Sequence, residues 1–346
     1  MTTTAAQTTP QQYLERQGRW HPLEIAFWLA TLLPYILFPY YLSLASQIAA
    51  AALFALSLDL ILGYAGIVSL GHAAFFGVGA YCAGLLSVHG LINEPVLALI
   101  VAGLAATVLG FATSFLVIRG ADLTRLMVTL GIALLMEALA ERFSNITGGT
   151  DGLQGIDIQP IFGVFAFDMF GKTGFFYALA VLFVLFLLAR MIVHSPFGLS
   201  LRAIKNNPLR AAAIGIPVNK RLIAIYTVAA FYAGIAGALF TQTTALASLD
   251  VFSFERSADL VLMLVIGGSG YLYGGLIGAA VFRMLQELFQ WITPQYWMFW
   301  IGLVLVVIVL VGRHRIHAYA LWLPNLVLRQ IAGRKAAVAL TDNEAP

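Results

Sequence analysis

Residues that could do chemistry are sparse in this sequence and lie within long apolar runs. The acidic residues are the first candidates. Burying a charge in a bilayer is costly, so an acidic residue within a membrane segment is a functional candidate by default. Asp59 lies near the end of one run, and Glu137 and Glu141 lie one helical turn apart near the end of another. His72, in a glycine-rich segment, could contact a substrate or serve as a hydrogen-bonded structural residue. Glu137 and Glu141 fit a hydrated interfacial position, so Asp59 and His72 are the better candidates.

These residues form no recognisable enzyme site. The six histidines are scattered, without carboxylate or cysteine neighbours at metal-ligand spacing, and the single cysteine, Cys82, excludes an intrachain disulfide. No G-x-S-x-G nucleophile elbow occurs. Residues 166–173 fit a loose phosphate-loop pattern, but two Phe and a Met replace the small residues that such a loop needs. We therefore expect no catalytic residue, no metal and no cofactor in this chain, and any ATP would be used by another subunit.

A basic connector is the second candidate site. Residues 190–221 contain six Lys and Arg and no acid, and short loops of this kind stay on the cytoplasmic side. Its prolines predict short helices, and Leu209, Ala212, Ala213 and Ile216 would form an apolar stripe on one of them. Such a helix can bind in the groove of a partner. It could equally lie on anionic lipid, and the residue pattern does not separate these interpretations.

The elements that must position these residues follow from composition. Of 346 residues, 61% are hydrophobic and 10% are charged, whereas a soluble domain has about 25% charged residues. At roughly 20 residues per crossing, an all-α polytopic transmembrane bundle of about eight to ten spans is expected. The predicted parts are an N-terminal tail (1–23), a transmembrane domain (24–320) and a C-terminal tail (321–346), with both tails cytoplasmic. The net charge of +3 comes from too few charged residues for a nucleic-acid surface.

Two glycine-rich segments, 63–71 and 267–275, predict broken helices. Irregular backbone at membrane depth is tolerated only beside protein or a watered cavity, so both are expected to line a pathway. The candidate pathway residues there are Gly66, Ser69, Gly71, Gly267, Gly268 and Gly270. Each segment follows an S-x-D-L-[IV]-L stretch, 57–62 and 257–262. Six positions leave both internal duplication and chance similarity open.

Four stretches occur in order along the chain: 58–81, the TGGTDGL loop at 147–153, 202–217 and 262–275. Together they resemble the LivM-type permeases of branched-chain amino acid ABC importers. The resemblance covers about residues 24–320 and implies that 194–221 is a coupling segment, although residues 209–211 depart from the Glu-Ala-Ala of the general importer motif. The coupling residues it implies are Arg202, Lys205, Asn206, Pro208, Arg210, Ala211 and Gly215.

What the resemblance implies is a translocation subunit in a bacterial inner membrane. It would pair with a related permease as a heterodimer, with two cytoplasmic ATPases and with a periplasmic solute-binding protein, and would pass a small branched-chain amino acid inward. Half-helix N-termini at the breaks could receive the substrate carboxylate. The alternatives are a urea or short-chain amide permease, a channel that acts alone, and a membrane-embedded enzyme.

Overall fold

In a computed structural model of the chain, the described residues are 22–311, except 93, 121, 169 and 170. All regular structure in this part is helical, apart from two isolated β-bridges, which confirms the all-α polytopic class. Residues 1–21 of the predicted N-terminal tail and all of the predicted C-terminal tail lie outside the described residues. In chain order, the helices are α1 (Pro22–Ala30), α2 (Leu33–Leu37), α3 (Leu42–Ala65), α4 (Ala73–Val88), α5 (Pro95–Arg119), α6 (Asp122–Arg142), α7 (Ser144–Thr147), α8 (Lys172–Val193), α9 (Pro196–Asn206), α10 (Pro208–Ala213), α11 (Val218–Thr244), α12 (Phe254–Gly267), α13 (Leu272–Ile292) and α14 (Trp297–Val311).

Fewer helices than expected are long enough to cross a membrane. Within the described residues, five helices pass by length and apolar character, or six if the bent pair α12 and α13 forms one span. The predicted eight to ten spans included three apolar runs that fold as shorter helices, at Pro22–Leu37, Ala73–Val88 and Trp297–Ile308. Apolar composition identifies these runs as hydrophobic, but it does not set where the helix ends.

Both glycine-rich segments break helices as predicted. Gly66 ends α3 with a left-handed φ of +75°, and the chain runs without helix until α4. The chain bends by 113° between α12 and α13. This confirms the break predicted within residues 267–275. We call residues 66–72 the first break and residues 268–271 the second break.

The core is built around α3 and α11. The apolar stretch of α3 is 89% buried and that of α11 is 72% buried, whereas that of α6 is only 22% buried. Glycines allow close contact: a Cβ at Gly237 in α11 would overlap the carbonyl oxygen of Phe76, and one at Gly79 in α4 would overlap the backbone of Gly234. Small residues of this kind let membrane helices approach closely. Tight packing therefore holds α4 against α11.

The chain divides into two compact units, residues 1–283 and residues 284–346. The first unit contains both breaks and the basic connector. In the described part of the second unit, the rings of Phe289 and Trp300 stack with their centres 6.2 Å apart.

Candidate functional site

A buried carboxylate joins the end of α3 to the second break. Asp59 is fully buried, and its Oδ1 accepts a hydrogen bond of 2.7 Å from the backbone N–H of Gly270, across 211 residues of sequence. Gly63 makes room for this contact. A Cβ at Gly63 would overlap Asp59 Oδ1 and lie within 2.5 Å of the Gly270 nitrogen. The pair therefore requires glycine one turn after the acid.

Lys205 brings the connector to the same place. Its Nζ donates a hydrogen bond of 2.6 Å to the carbonyl oxygen of Gly63. A Cβ on Gly66 would lie 3.1 Å from Lys205 Cγ, and one on Gly270 would lie 3.9 Å from Lys205 Nζ. Three predicted pathway residues and one predicted coupling residue thus meet. We call Asp59, Gly63, Gly66, Lys205 and Gly270 the α3-end cluster.

A second cation lies beside the cluster. The guanidinium of Arg202, one turn before Lys205 on α9, lies 5.3 Å from the centre of the Tyr64 ring. A cation over an aromatic face at this distance is attracted by the ring quadrupole. Two residues of α9 therefore hold the last turn of α3.

Hydroxyl groups from neighbouring helices surround the first break. Thr129 Oγ1 accepts a hydrogen bond of 3.2 Å from the N–H of Leu70, and a Cβ at Gly71 would overlap the Thr129 carbonyl. Ser257 Oγ accepts one of 3.0 Å from the N–H of Ala73, the first residue of α4. The next two N–H groups of α4 donate to carbonyls within the break. The start of α4 therefore presents paired N–H groups in this structure.

His72 and Ser69 lie in the first break, and both are fully buried. Ser57 Oγ lies 2.8 Å from His72 Nε2 and also donates to the Phe54 carbonyl oxygen at 2.6 Å. The imidazole stacks on the Phe54 ring at 5.8 Å and meets the Phe75 ring edge-on at 5.5 Å. Within the described part of the chain, His72 Nδ1 and Ser69 Oγ have no hydrogen-bond partner.

Gly267 and Gly268, two further candidate pathway residues, lie outside the α3-end cluster. A Cβ at Gly267 would overlap the Gly274 carbonyl oxygen, and Gly268 has a φ of +105°. These two glycines shape the bend between α12 and α13. Ser257 and Gly267 are ten residues apart on one helix, about 15 Å at 1.5 Å per residue. The start of α4 and the second break therefore lie at different levels, and only Gly270 of the second break's candidates joins the cluster.

The connector forms the short helices that its prolines predict. The Asn207 side chain caps α10 by accepting a hydrogen bond of 2.9 Å from the N–H of Arg210, and proline at the first helical position suits such a start. Leu209 and Ile214 are 82% and 71% exposed. The predicted coupling residues Asn206, Pro208, Arg210 and Gly215 are also exposed. Ala211 is buried and holds α10 in place.

Arg190 is separate from this surface. It is buried, and its guanidinium forms an ion pair of 2.5 Å with Glu24 of α1. A paired and buried cation fixes one helix against another. The exposed basic surface of the connector therefore begins after Arg190.

The TGGTDGL loop is a compact turn. Gly148 has a φ of +78°, and a Cβ there would overlap the Gly152 carbonyl oxygen. Leu153 N–H donates a hydrogen bond of 2.7 Å to the Ala247 carbonyl oxygen. The glycines of this motif are thus required by the backbone.

Several residues of the site have little signal in the sequence. Gly63, Thr129 and Asn207 are not among the predicted site residues. Asn207 could be found from its position before Pro208, whereas the contacts of Gly63 and Thr129 depend on helix packing. Within the described residues, no group of three or more His, Cys, Asp or Glu could hold a metal ion.

The chain is similar in sequence to a family of known membrane transport proteins. The family described as "Branched-chain amino acid transport system / permease component" matches residues 40–309. The chain is 27% identical to the high-affinity branched-chain amino acid transport permease LivM of Escherichia coli over 258 residues, 68% of this chain and 60% of that protein. It is 27% identical to a probable branched-chain amino acid permease, LivH, of Methanocaldococcus jannaschii, over 68% of this chain and 76% of that protein. It is also 27% identical to the ribose import permease RbsC of Bacillus subtilis, over 79% of this chain and 84% of that protein. No solved structure matches.

Proposed function

Because this chain belongs to the family of branched-chain amino acid transport permease components, we propose that it is the translocation subunit of an ATP-driven importer of branched-chain or similar apolar amino acids. It acts in a bacterial inner membrane, with both termini in the cytoplasm. Its partners are a related permease, two cytoplasmic ATP-binding subunits and a periplasmic solute-binding protein. The chain itself is a permease and not an enzyme, and it spans 60% of the length of the E. coli relative.

The α3-end cluster is the observation that carries this proposal. The Lys205 bond to Gly63 and the Asp59 bond to Gly270 join the connector, the last turn of α3 and the second break through consecutive contacts. A hydrogen bond from a charged group contributes about 1.5–3 kcal/mol, enough for a movement of α9 to shift the two broken helices. An importer driven by separate ATPases needs such a link.

The exposed face of α10 is the proposed ATPase contact. Leu209 and Ile214 project from the surface while Asn207 and buried Ala211 hold the helix in position. Arg210 places a positive charge between the two apolar side chains. A fixed apolar and basic projection suits the groove of a soluble partner that carries acidic residues.

The test is charge reversal on the connector in the complete importer. We expect the triple variant Arg202→Glu, Lys205→Glu and Arg210→Glu to lower substrate-stimulated ATPase activity and uptake at least about tenfold. Reversal at Arg210 changes the charge of the proposed ATPase contact, and reversal at Arg202 and Lys205 breaks the contacts that join α9 to the last turn of α3. Lys172→Glu, an exposed lysine at the start of α8, is the matched control.

Three outcomes would contradict parts of the proposal. Unchanged ATPase activity and uptake in the triple variant would remove the coupling role of the connector. Unchanged ATPase activity in the triple variant, together with uptake that no longer responds to anionic lipid in the liposomes, would assign α10 to lipid. Uptake of leucine by liposomes that contain only this chain would favour a channel that acts alone.

A further inference from the structure

The first break contains a hydrogen-bond acceptor that the fold leaves unused. Hydroxyls of α3, α6 and α12 each bond to a group in or beside this break, through Ser57, Thr129 and Ser257. In this otherwise paired surrounding, two fully buried side-chain atoms have no partner among the described residues, Ser69 Oγ and His72 Nδ1. Burying a polar atom without a partner costs free energy, so such atoms call for an explanation.

The tautomer of His72 follows from its neighbour. Ser57 has one hydroxyl proton, which goes to the Phe54 carbonyl oxygen at 2.6 Å. The bond of 2.8 Å between Ser57 Oγ and His72 Nε2 must then use the proton of the imidazole. A fully buried imidazole is held neutral by the cost of burying a charge. The neutral ring has one N–H, so Nδ1 is left as an acceptor with an available lone pair.

The surroundings of the ring indicate what it accepts. The Phe54 and Phe75 rings cover the imidazole on one face and one edge, so the acceptor stands beside an apolar wall. A ligand that fits both has an N–H donor next to an aliphatic group. An aliphatic α-amino acid has that pattern, and so does a short-chain amide, whereas urea has no aliphatic part and a 2-oxo acid has no N–H.

We propose that His72 Nδ1, together with Ser69 Oγ three residues earlier in the first break, is the subsite that binds the amino group of the substrate during translocation. This rests on the proposed function and deepens it, because it assigns a recognition atom and a substrate class to the first break. Ser57 acts as a positioning residue that fixes the tautomer. The start of α4 stays capped by Ser257, so the subsite recognises the ammonium end of the amino acid and not its carboxylate.

Two substitutions at His72 separate recognition from structure. In His72→Gln, the amide nitrogen takes the place of Nε2 and can still donate to Ser57, but no acceptor remains at the Nδ1 position. In His72→Asn, the amide lies at the Nδ1 position and the bond to Ser57 is lost. We expect the Gln variant to lower kcat/KM for L-leucine uptake about tenfold, as for loss of a hydrogen bond to a charged group, and the Asn variant to stay within about threefold of the wild type. His89→Gln is the matched control, because His89 is exposed at the end of α4.

Substrate selectivity distinguishes the two roles, because a His72 with a merely structural role would not change it. In the reconstituted complex, L-leucine uptake is compared with that of 4-methyl-2-oxopentanoate, the analogue without the N–H donor. The preference for leucine should fall about tenfold in His72→Gln. In the wild-type complex labelled with ¹⁵N-histidine, saturating L-leucine should move one Nδ1 resonance upfield, and the oxo acid should not.

The outcomes separate this inference from the proposed function. A wild-type complex that transports no leucine overturns the proposed function. A wild-type complex that transports leucine, together with unchanged selectivity in His72→Gln, overturns the subsite alone. If the Gln variant does not assemble, the ¹⁵N titration of the wild type decides, and an unmoved Nδ1 resonance contradicts the proposal.

Discussion

Replacing Lys205 with Met should loosen the first break. The substitution keeps the aliphatic stem against Gly66 but removes the donor to the Gly63 carbonyl oxygen at 2.6 Å. That carbonyl lies in the last turn of α3, where no helical N–H is available to it and where the helix dipole favours a cation. A charged hydrogen bond contributes about 1.5–3 kcal/mol. Because the Lys205 side chain is exposed to solvent, we expect about 1–2 kcal/mol here, a factor of 5–30 in the population of the open break.

The labelling rate of a buried thiol measures that population. Cys82 is the only cysteine, so a Cys82→Ser background carrying Ser69→Cys has one thiol, fully buried in the first break. Its reaction with a maleimide requires opening of the break. The rate should rise 5–30-fold with Lys205→Met and stay near the parent rate with Lys205→Arg, which keeps a donor. Lys220→Met, on an exposed lysine of the same connector, is the control. Equal rates in the Met and Arg variants would refute a role for the Lys205 bond in closing the break.

Two further predictions concern stability, measured by thermal unfolding of the purified protein in detergent. Gly237→Ala should destabilise by about 1–3 kcal/mol, because its Cβ overlaps the backbone of α4, whereas Gly131→Ala, with open space around it, should be neutral or slightly stabilising. Glu24→Gln should cost roughly 2–3 kcal/mol, below the range for a fully buried pair because the Glu24 side chain is 23% exposed. Asp250→Asn, in an exposed pair with Arg256, should cost less than about 1 kcal/mol. Equal losses of stability in Gly237→Ala and Gly131→Ala would contradict the packing argument. Equal losses in Glu24→Gln and Asp250→Asn would contradict the burial argument.

The sequence predicts which residues belong to this site better than it predicts that they contact one another. Composition establishes the helical membrane class, and glycine clusters locate both breaks. Asp59, Gly66, Gly270 and Lys205 are each identified, but as members of two separate sets. Their contact depends on how helices pack: Asp59 and Gly270 are 211 positions apart, and Lys205 is 142 positions from Gly63. No local pattern carries that information.

The missed features have physical causes as well. The number of spans depends on where helices begin and end, and apolar composition is insensitive to a break of a few residues. Arg190 belongs by sequence to the basic connector, but Glu24, far away in the chain, removes it from the exposed surface. His72 is recognised as a candidate, whereas the unused acceptor at Nδ1 follows only from the bond between Ser57 and the Phe54 carbonyl.

The repeated S-x-D-L segments gain meaning from where their side chains lie. Ser257, from the second segment, accepts a hydrogen bond from the N–H of Ala73, just after the first break. Asp59, from the first segment, accepts one from the N–H of Gly270, within the second break. Each segment thus pairs a backbone donor that lies in, or just after, the break of the other. Because an unpaired buried N–H costs about 1–3 kcal/mol, separating the two segments would expose a donor at each break, so the breaks are coupled through the pair of segments. The two contacts use different positions of the repeated pattern, its serine in the second segment and its aspartate in the first, while Ser57 bonds to His72 of its own break. The coupling therefore comes from two unlike hydrogen bonds and not from a symmetric exchange.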